Sequence, residues 1–144
     1  MDTYQTINDV LVRLFREIMD QEQKAIITEE FRDITNNDMH IIEAIGIREP
    51  RNMSSVAKSL SVTVGTLTIA VNALVKKGYV DRVRSESDRR VVLLSLTEKG
   101  RKAYEHHEKF HKDMVEAVIG HLTAEEQVVL AKALTGLSEF FRKF

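Results

Sequence analysis

The sequence contains no cysteine. A disulfide framework, a thiolate zinc site, an iron–sulfur cluster and a cysteine nucleophile are therefore all excluded. Proline occurs once and glycine six times in 144 residues. So few turn-forming residues argue against an all-β fold and favour a mostly helical chain. Uninterrupted apolar runs are only a few residues long, far short of the roughly 20 that span a bilayer. No membrane partner is expected. The opening residues MDTYQTIND carry neither a basic stretch nor an apolar core, so no secretion signal is read there. The expected location is the cytoplasm. A chain of this length buries an adequate core without a disulfide or metal staple.

Net charge is also nearly absent, at −1. The charge is unevenly placed, however. Between Lys76 and Lys102 there are nine basic residues (Lys76, Lys77, Arg82, Arg84, Arg89, Arg90, Lys99, Arg101, Lys102) and four acidic ones (Asp81, Glu86, Asp88, Glu98). The rest of the chain is correspondingly acidic. A local basic patch on a near-neutral protein is the electrostatic footprint of a polyanionic partner. A merely solvated face has the same composition, so the pattern around the patch has to decide.

Ile7, Val10, Leu11, Leu14, Phe15, Ile18 and Met19 recur at helical spacing and predict one long amphipathic helix over about residues 3–27. A second helix follows Thr35, where Thr35 and Asp38 have capping-box spacing. Met39, Ile42 and Ile45 face inward there, and Gly46 stops the helix in a left-handed conformation. Residues 53–77 read as two helices joined by a tight turn at Ser61 and Val62. Ser54 caps the first, with Val56, Ala57 and Leu60 inside. Thr63 caps the second, with Leu67, Ala70, Val71 and Leu74 as its buried stripe, and Gly78 ends it. The outer face carries Gly65, Thr66, Thr68, Ile69 and Asn72. This is helix-turn-helix spacing with a small, hydroxyl-rich recognition face.

The period then changes to two. YVDRVR (79–84) and VVLLSL (91–96) predict strands joined by the polar loop SESDRR. A hairpin placed straight after a helix-turn-helix is a wing, and its tip carries Arg89 and Arg90. A helix from Thr97 to about His121 puts Tyr104, His107, His111, Met114 and Val118 on one face, flanked by Phe110 and Ala117. Thr123 and Glu126 form a second capping box. The last helix is lined by Val129, Leu130, Ala133, Leu134, Leu137, Phe140, Phe141 and Phe144. That face is too apolar for water and marks an interface. The expected fold is mainly α with a small two-stranded β wing, a winged helix-turn-helix in an obligate dimer. Residues 1–34 would be an N-terminal dimerisation helix, 35–96 the DNA-binding lobe and 97–144 the C-terminal dimerisation helices.

The expected DNA contacts are Ser54, Thr63, Gly65, Thr66, Thr68, Asn72 and Lys76, with Arg82, Arg84, Asp88, Arg89 and Arg90 on the wing. Gly65 lets the backbone approach DNA. Thr66 and Thr68 can bond base edges and touch thymine methyls. Asn72 is expected at phosphate. None of these is a bidentate arginine–guanine reader, so DNA shape should outweigh direct readout. Arginine at the wing suits a narrow minor groove. A twofold homodimer would read an inverted repeat with half-sites about one helical turn apart.

DRRVVLLSLTEKG (88–100) resembles the wing signature of the MarR family of bacterial repressors: an Asp-x-Arg, alternating apolar residues, then Leu-Thr-x-x-Gly. SSVAKSLSVTVGTLTIAVNALVKKGYV fits the same family, and the resemblance covers the whole chain. It implies that Arg90 is the minor-groove arginine. It also implies that Asp88 pairs with a strand arginine, here Arg84, and so holds the tip rigid. Arg89 takes the variable middle position. Within the family, DMHIIEAIG, VTVGTLT, KKGYVDRVRSESDRRVV and KFHKDMV are similar to repressors of fatty-acid synthesis genes. That likeness implies a long acyl chain on acyl carrier protein as corepressor and no resident cofactor.

Leu11, Phe15, Ile18, Met39, Ile42, Phe110, Met114 and Val118 come from three helices and suit an adaptable apolar tunnel for such a chain. Plain core packing uses the same residue types, and only the resemblance favours the tunnel. The alternative is a zinc-responsive repressor. His107 and His111 lie at i, i+4, so both imidazoles can reach one ion, with His40 as third ligand and Glu22 or Glu29 as fourth. Zinc-sensing members of the family use a similar glutamate and histidine arrangement. The missing cysteine is a departure from it. His106 adjoins His107 but faces another way. No Ser–His–Asp order, phosphate loop or HExxH helix is present, so no enzyme is expected. A winged helix serving only protein contacts is disfavoured by the basic segment.

Overall fold

The computed structural model describes residues 2–28 and 30–143. Glu29 and Phe144, named above, lie outside them. The chain forms two compact units, Met1–Glu108 and Lys109–Phe144. Among the described residues no single helix is long and apolar enough to cross a membrane.

The first unit opens with a continuous helical run: α1 (Thr3–Asp9), a π-helical turn (Val10–Leu14) and α2 (Phe15–Ile26). A π turn adds one residue to the helix and so shifts the register of the apolar stripe. Ile7, Leu11, Phe15 and Met19 are all exposed, and Ile26 is the buried residue of α2. α3 (Asn36–Ile45) starts at the expected capping box. The Asp38 amide donates to Thr35 Oγ1 at 3.0 Å, and the Thr35 amide donates to Asp38 Oδ2 at 3.1 Å. Gly46 ends α3 with φ +71°, as glycine permits, but its ψ of 179° is extended and not left-handed helical.

The helix-turn-helix consists of α4 (Met53–Ser59) and α5 (Val64–Lys77). Ser54 does not cap α4. Asn52 does, its Oδ1 accepting from the amides of Ser54 at 2.7 Å and Ser55 at 3.3 Å. The helix begins two residues earlier than a Ser54 cap would place it, so Ser54 already lies inside its first turn, where its own amide needs an acceptor. Ser61 makes the turn at φ +56°. Thr63 caps α5 as expected, and Gly78 ends it in the left-handed region at φ +90°. Leu67, Val71 and Leu74 are buried and meet Met39, Ile42 and Ile45 of α3 in one core with Val56 and Ala57.

The wing has three strands, not two. β2 (Val80–Arg84) and β3 (Val92–Leu96) form the expected hairpin, and β1 (Arg51–Asn52) pairs antiparallel with β3 through Arg51–Leu94 and Asn52–Leu93. A two-residue strand has no period to detect, so it was not legible in the sequence. α6 runs unbroken from Glu98 to Gly120.

Tyr79, between α5 and β2, is completely buried. Its hydroxyl donates to Asp33 Oδ1 at 2.6 Å. Lys99 Nζ stands 4.4 Å above its ring. Lys77 bridges from the end of α5 to the Asp33 carbonyl at 2.7 Å and the Asp38 carboxylate at 2.9 Å. The segment before α3 is thereby tied to the end of α5. Burial, then the Asp33 bond, push the Tyr79 phenol well above its ordinary pKa, so it remains a donor.

The second unit holds the rest of α6 and α7 (Ala124–Arg142). Its capping box is as expected, with Thr123 and Glu126 exchanging bonds of 2.9 and 3.1 Å. None of the described residues of α7 is buried within the chain. Phe140 and Phe141 pack edge-to-face at 5.2 Å, yet both remain more than half exposed.

Tyr79→Phe keeps the ring and removes one hydrogen bond, so it should destabilise the fold by about 1 kcal/mol near neutral pH. The Tyr79 hydroxyl is also the main cause that holds the Asp33 carboxyl below the ordinary carboxylate range. That contribution is complete above the ordinary carboxylate pKa and is lost as pH falls through the lowered folded value. Melting curves should therefore show parent and variant converging on acidification below about pH 4.

Candidate DNA interface

The outer face of α5 carries exposed Thr66, Ile69, Asn72 and Lys76 with half-buried Thr68. A hydroxyl's hydrogen-bond role depends on what it already holds. Thr63 Oγ1 donates to Thr66 Oγ1 at 2.9 Å and accepts the Thr66 amide at 3.1 Å. The Thr66 hydroxyl therefore keeps its own proton for an outward acceptor. Thr68 Oγ1 donates back to the Val64 carbonyl at 2.7 Å, so it offers lone pairs and a methyl. The two threonines thus present complementary groups outward: one a donor, the other an acceptor beside a methyl, which are the groups that base edges can use. A Cβ at Gly65 would meet only Thr63 Oγ1, at 4.0 Å, which leaves the backbone there open to approach.

Asn72 is exposed, and it is its acceptor oxygen that the fold takes up. Its Oδ1 accepts from Arg82 Nη1, which fastens strand β2 to the recognition helix, while a phosphate would call on its amide NH2 donor. The tip differs from expectation. Asp88 does not pair with Arg84. It pairs with Arg90, taking Nε at 3.1 Å, Nη2 at 3.2 Å and the Arg90 amide at 3.1 Å. The two-residue separation lets one carboxylate bond both backbone and side chain of Arg90, which a residue on the facing strand cannot match. Arg84 Nη1 instead crosses the hairpin to the Arg89 carbonyl at 2.8 Å. The tip is braced as anticipated, by different partners. Arg90 holds Asp88 below its ordinary pKa. The Arg90 side chain is 92% exposed, so this pair sets geometry and adds little stability.

Between wing and recognition helix lies a cleft of about 510 Å³. Arg82, Arg84 and Arg90 line it with Ser54, Thr68 and Asn52. Ser54, displaced from its expected capping role, thus still faces the expected site. A helix in a major groove and a wing in the next minor groove must straddle one phosphate strand. Three guanidiniums in the intervening cleft suit that strand.

A family model described as transcriptional regulator SarA/Rot matches residues 22–107, more than half of the chain. The chain belongs to this MarR-like family of transcriptional regulators. A crystal structure of Streptococcus pneumoniae FabT in complex with DNA is 44% identical, covers 97% of this chain and 98% of that one, and superposes with a TM-score of 0.91. The transcriptional regulator AdcR of the same species is 31% identical over 72% of this chain and 73% of its own. The regulator PchR of Bacillus subtilis is 27% identical over 94% and 88%. The regulator is accordingly a DNA-binding protein and not an enzyme.

The other expected sites fare unevenly. In the regulator, Met39 and Ile42 are 1% and 0% exposed and serve the core of the first unit. Leu11 and Phe15 lie exposed on the first helical run, and Ile18 is half-buried. In the second unit Phe110 and Met114 are half-buried and Val118 is exposed. A cleft of about 680 Å³ opens beside Ile45, Ile47, Arg48, Tyr104 and Glu108, and none of the expected tunnel residues lines it.

Of the expected metal ligands, His107 is buried, with Nε2 3.3 Å from Glu22 Oε1 and paired also with Glu43. His111 lies one turn further along α6. His40 is exposed and does not join. Glu43, three residues further along α3, pairs with His107 where His40 was expected. Sequence reading missed Glu43. His106 faces elsewhere as anticipated, its Nε2 2.8 Å from the Ala25 carbonyl and its ring 5.7 Å from Phe31.

Arg90→Ala should leave melting temperature and helix content unchanged. In fluorescence anisotropy with promoter DNA it should bind weakly, and its log–log salt slope should fall by about one. Affinity equal to the parent's would remove the wing from the interface.

Proposed function

We propose that the chain is a cytoplasmic repressor of fatty-acid synthesis genes. It binds inverted-repeat promoter DNA as a homodimer, with long-chain acyl-acyl carrier protein as corepressor. The observation that carries this reading is the FabT likeness, 44% over nearly the whole of both chains, on the segments that resemble fatty-acid synthesis repressors. The arginine-lined cleft and the complementary threonine pair supply the DNA chemistry. Leu11, Phe15 and Ile18 of the first helical run, outside the core that takes Met39 and Ile42, remain the proposed contacts for the acyl chain.

Dimerisation follows from exposed apolar surface. On α7, Val129, Leu134, Phe140 and Phe141 are 66%, 49%, 53% and 58% exposed, and Leu11, Phe15 and Met19 add a second apolar face. At about 25 cal/mol per Å² such faces are too costly to leave in water. Deletion from Glu126 onward should therefore give a monomer or aggregate by light scattering, with operator recognition lost. A folded monomer of full affinity would refute the dimer.

One observation favours a second reading. Glu22, Glu43 and His107 bring two carboxylates and an imidazole together, which is a usable zinc donor set. The deciding experiment titrates the protein against an inverted-repeat promoter of a fatty-acid synthesis gene in chelator at fixed salt. Acyl-acyl carrier protein should tighten binding without metal. No response to it, with binding restored by zinc, would transfer the reading to the metal and its ligands.

A further inference from the structure

The Leu-Thr-x-x-Gly run at 96–100 lies outside the DNA-facing surface, yet it makes a tight junction in the first unit. Thr97 Oγ1 donates to the Gly78 carbonyl at 2.6 Å and accepts the Gly100 amide at 3.0 Å. The Thr97 amide donates to the Tyr79 carbonyl at 3.0 Å. One residue thus caps the start of α6 and holds the two carbonyls that directly follow α5. Gly100 closes the contact. A Cβ there would sit 2.1 Å from the Tyr79 carbonyl oxygen and 3.1 Å from its carbon. Both obstructing atoms are backbone, on a residue that is itself completely buried, so neither can move aside alone. Lys99 reinforces the joint from above the Tyr79 ring.

We infer that Thr97 and Gly100 are positioning residues for DNA reading: they weld the recognition helix to α6, so that α6 fixes where α5 stands. The inference rests on the DNA-binding reading of α5. A weld differs from ordinary core packing because it constrains direction. Apolar contacts let one helix slide over another by a fraction of an ångström. Two bonds to consecutive carbonyls and a backbone-to-backbone contact do not. Base reading needs that precision, since hydrogen bonds weaken steeply with distance and angle. Phosphate attraction acts over about 10 Å and does not.

The test is Thr97→Val, which keeps the shape and removes the hydroxyl, beside Thr97→Ser, which keeps the hydroxyl. The full-length proteins are titrated at one salt concentration against the inverted-repeat promoter and against random DNA of equal length. Thr97→Val should lose roughly tenfold in promoter affinity, the value of the one hydroxyl bond that ties α6 to the end of the recognition helix at Gly78, with random-DNA affinity within about twofold of the parent. Thr97→Ser should restore the parent's ratio. Amide exchange should rise at Gly100, whose acceptor is removed, in Thr97→Val and stay slow in α3. Equal losses on both DNAs would mean lost folded protein and would overturn the inference, as would an unchanged ratio. A parent that does not discriminate the two DNAs would overturn the DNA reading itself, while the exchange data would still report on the weld.

Discussion

Tyr79 is the point on which the first unit depends. It follows the glycine that ends the recognition helix and precedes the strand that begins the wing. Its hydroxyl is anchored on Asp33, its ring carries Lys99, and its carbonyl is held by Thr97 against Gly100. A phenol buried in this way must keep its proton and its acceptor, because an unpaired polar group in the core costs about 1–3 kcal/mol. Helix end, strand start, the segment before α3 and the first turn of α6 are therefore fixed together. The DNA-reading surface is the outer side of that knot.

Much of this was legible in the sequence because it rests on short-range chemistry. Both capping boxes, the Thr63 cap, the Gly78 stop and the buried stripe of α5 follow from residue type and spacing alone. The departures share one cause: each depends on atoms brought together by folding. β1 pairs only because β3 lies beside it, and two residues carry no period. Asn52 displaces Ser54 as a cap because that strand delivers it to the helix start. Arg84 and Asp88 are both present as expected, but the hairpin's geometry gives Asp88 to Arg90. Glu43 meets His107 only through the packing of α3, and no spacing along the chain announces it.

The charge distribution also reads differently once folded. The excess of basic residues between Lys76 and Lys102 is not one patch. Lys77 and Lys99 are spent on holding the end of α5, and Arg101 donates to the Ile47 carbonyl at 2.9 Å. Arg82, Arg84 and Arg90 remain at the cleft, each with a bond that limits its rotamers. Preorganised guanidiniums lose less side-chain entropy on meeting phosphate than free ones. A near-neutral chain can thus present a cationic site, because its cations divide between structure and surface.

Such a site has few base readers. On the proposed reading, two threonines and an open backbone at Gly65 discriminate sequences weakly, so a single lobe does not select one promoter from a genome. Selectivity then has to come from geometry: the spacing of two lobes and the shape of the DNA between them. Two linked lobes raise effective concentration without any new contact, but only when both engage together. Under the proposed weld, that condition places the burden on the start of α6, where Thr97 holds the Gly78 and Tyr79 carbonyls. An effector need not touch DNA or the recognition helix to act. It needs only to bind one arrangement of the two lobes better than the other, and a difference of about 1–3 kcal/mol in that preference is enough to switch a promoter.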